Sequence, residues 1–195
     1  LDNIDASRRA KIDPGVIEIT MDEKTIKIKN GGLHIPVKKI SSSKEKGNIA
    51  FRDYKEGDES YKWLAEELFG GMRVSNNYDT TVKRMGCGRN GFGSKLTNIF
   101  SKRFVIEIED PDTKLHFKGT WQDNMFKDDR TRRPEIEVTE NKEIEKGSVS
   151  VEWDLDFERF GMTKYSEKDF KLFARYAVDF SFTCKIKIFF NETEV

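Results

Sequence analysis

Four glycines fall within eight residues, at Gly86, Gly88, Gly91 and Gly93, and the residues after them turn helical and then strand-like. No other stretch restricts the fold as much. Glycine has no Cβ, so backbone N–H groups there can approach a ligand closely. In Gly86-Cys87-Gly88-Arg89-Asn90-Gly91-Phe92-Gly93-Ser94-Lys95 the glycines end where Leu96, Ile99 and Phe100 take up helical spacing. They therefore precede a helix start, whose free N–H groups and positive dipole end favour an anion. Lys95 adds a full charge. The spacing is not that of the Gly-x4-Gly-Lys-Ser/Thr loop, and the third glycine and βαβ context of a dinucleotide fingerprint are missing. Two readings stand at this point: a phosphate cradle, or a plain turn ahead of a helix.

Around this stretch the chain divides. Before it, residues 1–11 read as a helix end stopped by Asp13-Pro14-Gly15. Residues 16–20 and 25–29 alternate apolar and polar, as an antiparallel hairpin with one buried face does. Asn30-Gly31-Gly32-Leu33-His34-Ile35-Pro36-Val37 comes next as a glycine-bearing turn with Asn30 at a strand end. Residues 41–60 are polar and charged, which predicts a surface loop or lid. A short amphipathic helix is expected over 61–69, with Tyr61, Leu64, Ala65 and Leu68 on its apolar side, and a second loop over 72–87. After the glycines, strands are expected at 103–109, 114–121, 135–139, 148–153 and 184–190. A helix over 169–182 carries Phe170, Phe173, Ala174 and Ala177 on one face. Helices set against a largely antiparallel sheet make an α+β, two-layer sandwich.

At 195 residues the chain has the length of one domain. Its 36% apolar share, lifted to about 43% by 14 glycines, is that of a globular protein. Charge is balanced at 35 basic against 35 acidic residues, which excludes a whole-face nucleic-acid footprint but not a local basic pocket. Cys87 and Cys184 lie far apart with no partner pattern, so neither a disulfide framework nor a zinc site is expected, and the default compartment is reducing and intracellular. No apolar run reaches membrane-spanning length. The start at Leu1-Asp2-Asn3 is read as that of a fragment.

Several polar groups admit two readings. Asn3 with Asp2 and Asp5 offers oxygen ligands to magnesium, or is a solvated helix terminus. Asn30 reads a base edge, or takes the left-handed conformation that Asn tolerates. His34 and His116 stand alone in the sequence, with no triad or metal spacing. Lys83-Arg84 and residues 127–133 are short basic runs, solvated or, at Arg130-Thr131-Arg132-Arg133, against a nucleic-acid backbone. Thr120-Trp121-Gln122-Asp123-Asn124-Met125 has no evident mechanism.

Together, these segments resemble the ATPase domain of eukaryotic-type DNA topoisomerase II. Gly88 to Lys95 with Leu96-Thr97-Asn98-Ile99-Phe100-Ser101 after it is similar to its phosphate-binding motif. The turn from Asn30 resembles Asn-Asn-Gly-Lys-Gly-Ile-Pro-Val, and Ser75-Asn76-Asn77-Tyr78-Asp79 resembles Ser-Ser-Asn-Tyr-Asp. Residues 120–125 resemble Thr-Trp-Met-Asp-Asn-Met, so four motifs occur in family order over nearly the whole chain.

The resemblance implies the ATPase module shared with gyrase, heat-shock protein 90, histidine kinases and MutL, the GHKL or Bergerat fold: a mixed, mostly antiparallel sheet under helices, with an ATP lid. It assigns Asn3 to magnesium and ATP, Asn30 to the adenine amino group, and Ser75, Asn76 and Asn77 to the lid near the ribose and phosphates. Gly88, Arg89, Asn90, Gly91, Phe92, Gly93, Ser94 and Lys95 become the phosphate loop, with ATP and Mg2+ as cofactors. The family's general base is a glutamate four residues before Asn3, which would precede Leu1, so no catalytic residue is assigned within 1–195. The first helix is expected to lack its N-terminal part, and the transducer domain with its lysine would come after the chain. His34 in place of the family's second glycine, and Gly31 in place of its second Asn, alter the adenine turn. The implied function is ATP-driven closure of the N-gate by homodimerisation during passage of double-stranded DNA, in the nucleus or, for a viral protein, the host cytoplasm, with no membrane. The alternative is a non-catalytic, nucleotide-dependent dimerisation clamp of a chromatin-associated protein, which lacks the glutamate.

Overall fold

The alternating run after Pro14 starts the frame. In chain order the strands are β1 (Ile17–Met21), β2 (Thr25–Asn30), β3 (Lys39–Glu45), β4 (Asn48–Asp53), β5 (Lys62–Trp63), β6 (Ser101–Asp110), β7 (Leu115–Gln122), β8 (Glu135–Glu140), β9 (Ser148–Leu155), β10 (Ile188–Phe190) and β11 (Thr193–Glu194). The helices are α1 (Asp2–Arg9), α2 (Leu64–Gly70), α3 (Gly93–Ile99) and α4 (Glu167–Cys184). The computed structural model describes residues 2–45, 48–56, 58, 61–71, 92–125 and 134–195. The loop expected over 72–87 lies outside them, as do Lys83, Arg84 and the 130–133 cluster.

Eight strands form one sheet in the order β11-β10-β1-β2-β9-β6-β7-β8. β1 runs parallel to β10, and the remaining neighbours are antiparallel. Register carries one apolar row across the sheet: Ile19 opposite Ile28, Ile28 opposite Val151, Val151 opposite Ile106. Because strand side chains alternate, the residues between them point the other way. There Lys27 meets Glu107 at 3.2 Å and Glu152 at 3.6 Å, and Lys29 meets Glu109 at 4.0 Å. One face is therefore charged and wet, and the other carries the helices.

Above β1 and β10, Ile4 of α1 and Ala177 of α4 pack with Ile186 and Ile188. Phe170 and Phe173 of α4 pack against Met21, Ile26 and Tyr165, so the expected helical stripe faces the sheet. Ser166 starts α4 as a capping box with Asp169. Above β6 and β7 the core holds Phe104, Ile106, Ile108, Phe117 and Trp121, against which Ala65 and Phe69 of α2 and Ile99 of α3 rest.

Three expectations change. Residues 41–60 are not a plain loop: β3 and β4 form an antiparallel hairpin, extended by β5. Backbone pairing holds that small sheet although its cross-strand partners mix polar and apolar residues, as in Ser42 opposite Phe51 and Lys44 opposite Ile49. In α2 the side chains that go inside include Glu66 and Glu67 as well as Ala65, while Tyr61 precedes the helix and is exposed. The strand expected at 184–190 begins only at Ile188, because α4 runs on to Cys184 and ends at Lys185 with φ 49°.

Candidate functional site

Helical spacing puts Asn3 and Ser7 one turn apart on α1. Asn3 Nδ2 donates to the Leu33 carbonyl at 2.6 Å. The fully buried Ser7 hydroxyl donates to the Asn3 carbonyl at 2.8 Å and accepts from Leu33 N at 2.8 Å. Two residues thus fasten the helix to the turn after β2. Gly32 lies beneath them with φ 81°, and a Cβ there would stand 2.6 Å from Ser7 Oγ and 3.0 Å from Pro14 Cα. Only glycine fits both the space and the left-handed backbone.

Asn30 ends β2 opposite Ile17 and Val149, which places it on the helix-covered face of the sheet. Its Nδ2 donates to the Gly31 carbonyl at 3.0 Å. Asn30 thus begins the turn whose Leu33 carbonyl holds Asn3.

The far end of this turn is latched by residues that sequence spacing did not single out. Asp110, fully buried, accepts from Val37 N at 2.8 Å, Asp112 N at 2.9 Å and Thr113 N at 3.1 Å. Burial opposes its ionisation, but those N–H donors and the Thr113 hydroxyl outweigh it and hold the carboxyl below its ordinary range. His34, isolated in sequence, is not isolated in space: its Nε2 lies 3.2 Å from Asp110 and 3.5 Å from Asp112. Gly147 lets it in, since a Cβ at 147 would meet the His34 side chain at 2.6–2.8 Å.

The glycine motif enters the described residues at Phe92; residues 88–91 and the lid residues 75–77 lie outside them. Phe92 and Gly93 are exposed, Ser94 is half-buried, and a Cβ at Gly93 would meet nothing within 4 Å among the described residues. Of the residues its apolar spacing nominated, α3 turns Ile99 onto the core but leaves Leu96 outside. Leu96 is 49% exposed, whereas Lys95 at 2% and Asn98 at 0% are inside. Desolvation lowers the Lys95 pKa, and the negative charge of Glu67 on α2 partly restores it. Glu67 in turn accepts from Lys62 Nζ at 2.8 Å, and Asn98 Nδ2 bonds the Phe69 carbonyl at 3.2 Å. Polar partners on α2 therefore join the Ile99 core contact in holding this helix. Asn3 and Asn30 thus stand over β1 and β2, and Gly93 to Lys95 over the β6 side, on one face of one sheet.

No protein-family model matches the chain. A DNA topoisomerase 2 of Plasmodium falciparum is 34% identical over 175 residues, 90% of the chain and 11% of that relative. The ATPase and transducer domains of DNA topoisomerase II from Balamuthia mandrillaris superpose with a TM-score of 0.77 at 27% identity, over 100% of the chain and 44% of theirs. The chain belongs to the DNA topoisomerase II family. It takes the fold of the topoisomerase II ATPase region, the mixed GHKL sandwich, and the ATPase region of the Saccharomyces cerevisiae enzyme has the same fold, with a TM-score of 0.78 at 24% identity over 98% of the chain and 46% of its own. The chain spans about a tenth of the length of the topoisomerase II relatives it matches.

Proposed function

We propose that this chain binds ATP with magnesium over the helix side of its sheet, as the nucleotide-binding part of a type II DNA topoisomerase. The observation that carries this is the topoisomerase II ATPase-region fold with Gly93, Ser94 and Lys95, the last residues of the glycine motif, opening α3. Asn30 would meet the adenine, the 75–77 and 88–95 segments the ribose and phosphates. For magnesium, Asn3 offers Oδ1, a hard oxygen whose described neighbour is Ser7 Oγ at 3.4 Å. One such side-chain oxygen beside phosphate oxygens and water suits an ion that keeps much of its hydration. Magnesium there would offset the charge of the phosphates. In the complete polypeptide, ATP binding would close the N-gate by pairing two copies, and hydrolysis would reset it after one DNA duplex has passed through another. The nucleus, or host cytoplasm for a viral protein, belongs to the same proposal.

The test is a melting curve of the chain with magnesium and a non-hydrolysable ATP analogue. At a ligand concentration a hundred times Kd, binding to the native state alone adds about 2.7 kcal/mol of stability. An unchanged melting temperature at saturating analogue contradicts the proposal. Lys95→Met, which keeps most of the buried stem, is expected to lose about 2–5 kcal/mol of analogue affinity by calorimetry, the range for removing one member of a buried charge pair. Equal affinity would leave Lys95 a packing role beside Glu67.

A further inference from the structure

Asp123, Asn124 and Met125 lie consecutively at φ 47°, 61° and 63°. L-residues avoid this region because Cβ crowds the following carbonyl oxygen, and three in succession persist only where their surroundings over-determine them. The surroundings here are visible. Trp121 before the turn and Met125 at its end are both buried in the β6–β7 core. Between them the Asn124 side chain makes three hydrogen bonds: Nδ2 donates to the Ile99 carbonyl at 2.9 Å and to Asp156 Oδ2 at 3.0 Å, and Oδ1 accepts from Lys102 Nζ at 3.4 Å. Since both partners of Nδ2 are pure acceptors, the amide has one orientation.

Ile99 is the last residue of α3, and its carbonyl is one that a helix cannot satisfy from within. Neighbouring carbonyls are closed by Ser101 Oγ on Thr97 O at 2.6 Å and by Asp156 N on Phe100 O at 2.8 Å. Asp156 is itself anchored, buried and 3.6 Å from Lys102 and 3.4 Å from Arg159. Of these ties, the one from Asn124 demands the strained backbone. Gly93 lies six residues before Ile99, about 9 Å along the axis at 1.5 Å per residue. In so short a helix the first residues go where the last ones are held.

We propose that Asn124 is a positioning residue for the nucleotide loop: the left-handed 123–125 turn exists to clamp the end of α3, and so sets where Gly93, Ser94 and Lys95 stand. This rests on the nucleotide-binding role proposed for the chain and gives a role to the 120–125 motif, which that role leaves unused.

Asn124→Gly separates clamp from fold, because glycine takes the left-handed conformation freely and only the amide is lost. The 195-residue chain and this variant are titrated with adenylyl imidodiphosphate and magnesium, and melted without nucleotide. The expected result is a Kd raised about tenfold, the scale of the single bond lost to the Ile99 carbonyl of α3, with the ligand-free melting temperature within about 5 °C. Asp156→Asn, which keeps an acceptor oxygen for Asn124, is expected to bind near the wild-type Kd. Ser101→Ala, which removes a bond internal to the α3 end, is expected to do the same. Wild-type affinity in Asn124→Gly overturns the clamp, and so does a tenfold loss in Ser101→Ala. No binding by the wild-type chain overturns the nucleotide-binding role itself and the clamp with it.

Discussion

Gly32→Ala is expected to destabilise the chain by about 2–5 kcal/mol, combining a left-handed backbone forced on an L-residue with overpacking of a filled space. The new methyl would meet Ser7 Oγ at 2.6 Å, and also Pro14 backbone atoms at 3.0 and 3.1 Å. The serine could turn away, but Ser7 then loses its bonds to Leu33 N and the Asn3 carbonyl, and the proline backbone has nowhere to go. Removing the hydroxyl as well, in Ser7→Ala with Gly32→Ala, is therefore expected to recover only part of the loss. Urea unfolding of the two single variants and the double supplies the comparison, and such neighbours should not be additive. A Gly32→Ala chain as stable as wild type would mean that the α1–turn contact is loose.

Asp110→Ala should be as damaging, about 3–5 kcal/mol, since it leaves backbone donors of Val37, Asp112 and Thr113 without their acceptor and His34 without its neighbour. Its pH dependence has a defined sign. The folded carboxyl sits below its ordinary range because the hydrogen bonds overcome the desolvation. The stability this ionisation contributes is therefore present above the unfolded-state value of about 4 and is lost as pH falls through the lower folded value. Unfolding free energy measured from pH 6 downward is expected to decline more steeply below about pH 4 in the wild type than in Asp110→Asn. Parallel curves would show that Asp110 is not ionised in the fold, or not held by its N–H partners.

The framework was legible where one chemical rule acts alone. β1, β2, β6 and β9 alternate because one face is buried and one is wet, and α4 shows its Phe170, Phe173, Ala174, Ala177 stripe for the same reason. β3 to β5 were hidden because their sequences do not alternate apolar and polar, and the register sets Ile40 opposite Asp53. α3 misled for a related reason. Its inward side holds Lys95 and Asn98 beside Ile99, and what draws those two polar residues inside is Glu67 and the Phe69 carbonyl on another helix. Asn3 and Asn30 each admitted two readings from the local sequence, and it was the resemblance that assigned them roles; Ser7 was recoverable from its four-residue spacing to Asn3. The His34–Asp110 contact was not recoverable, since it exists only once the turn after β2 meets the end of β6.

Gly93 gives the most direct test of nucleotide binding by the glycine loop, because a Cβ there meets none of the described residues. The wild-type chain and Gly93→Ala are titrated with magnesium and adenylyl imidodiphosphate in a calorimeter, and both are melted without ligand. If the loop backbone lies against phosphate, the methyl blocks that approach. The wild type is then expected to bind, and the variant to lose at least about tenfold in affinity. Ligand-free melting temperatures should agree or favour alanine, the better helix former. Equal affinity in the two proteins, or none in either, would contradict a phosphate-binding loop at the start of α3.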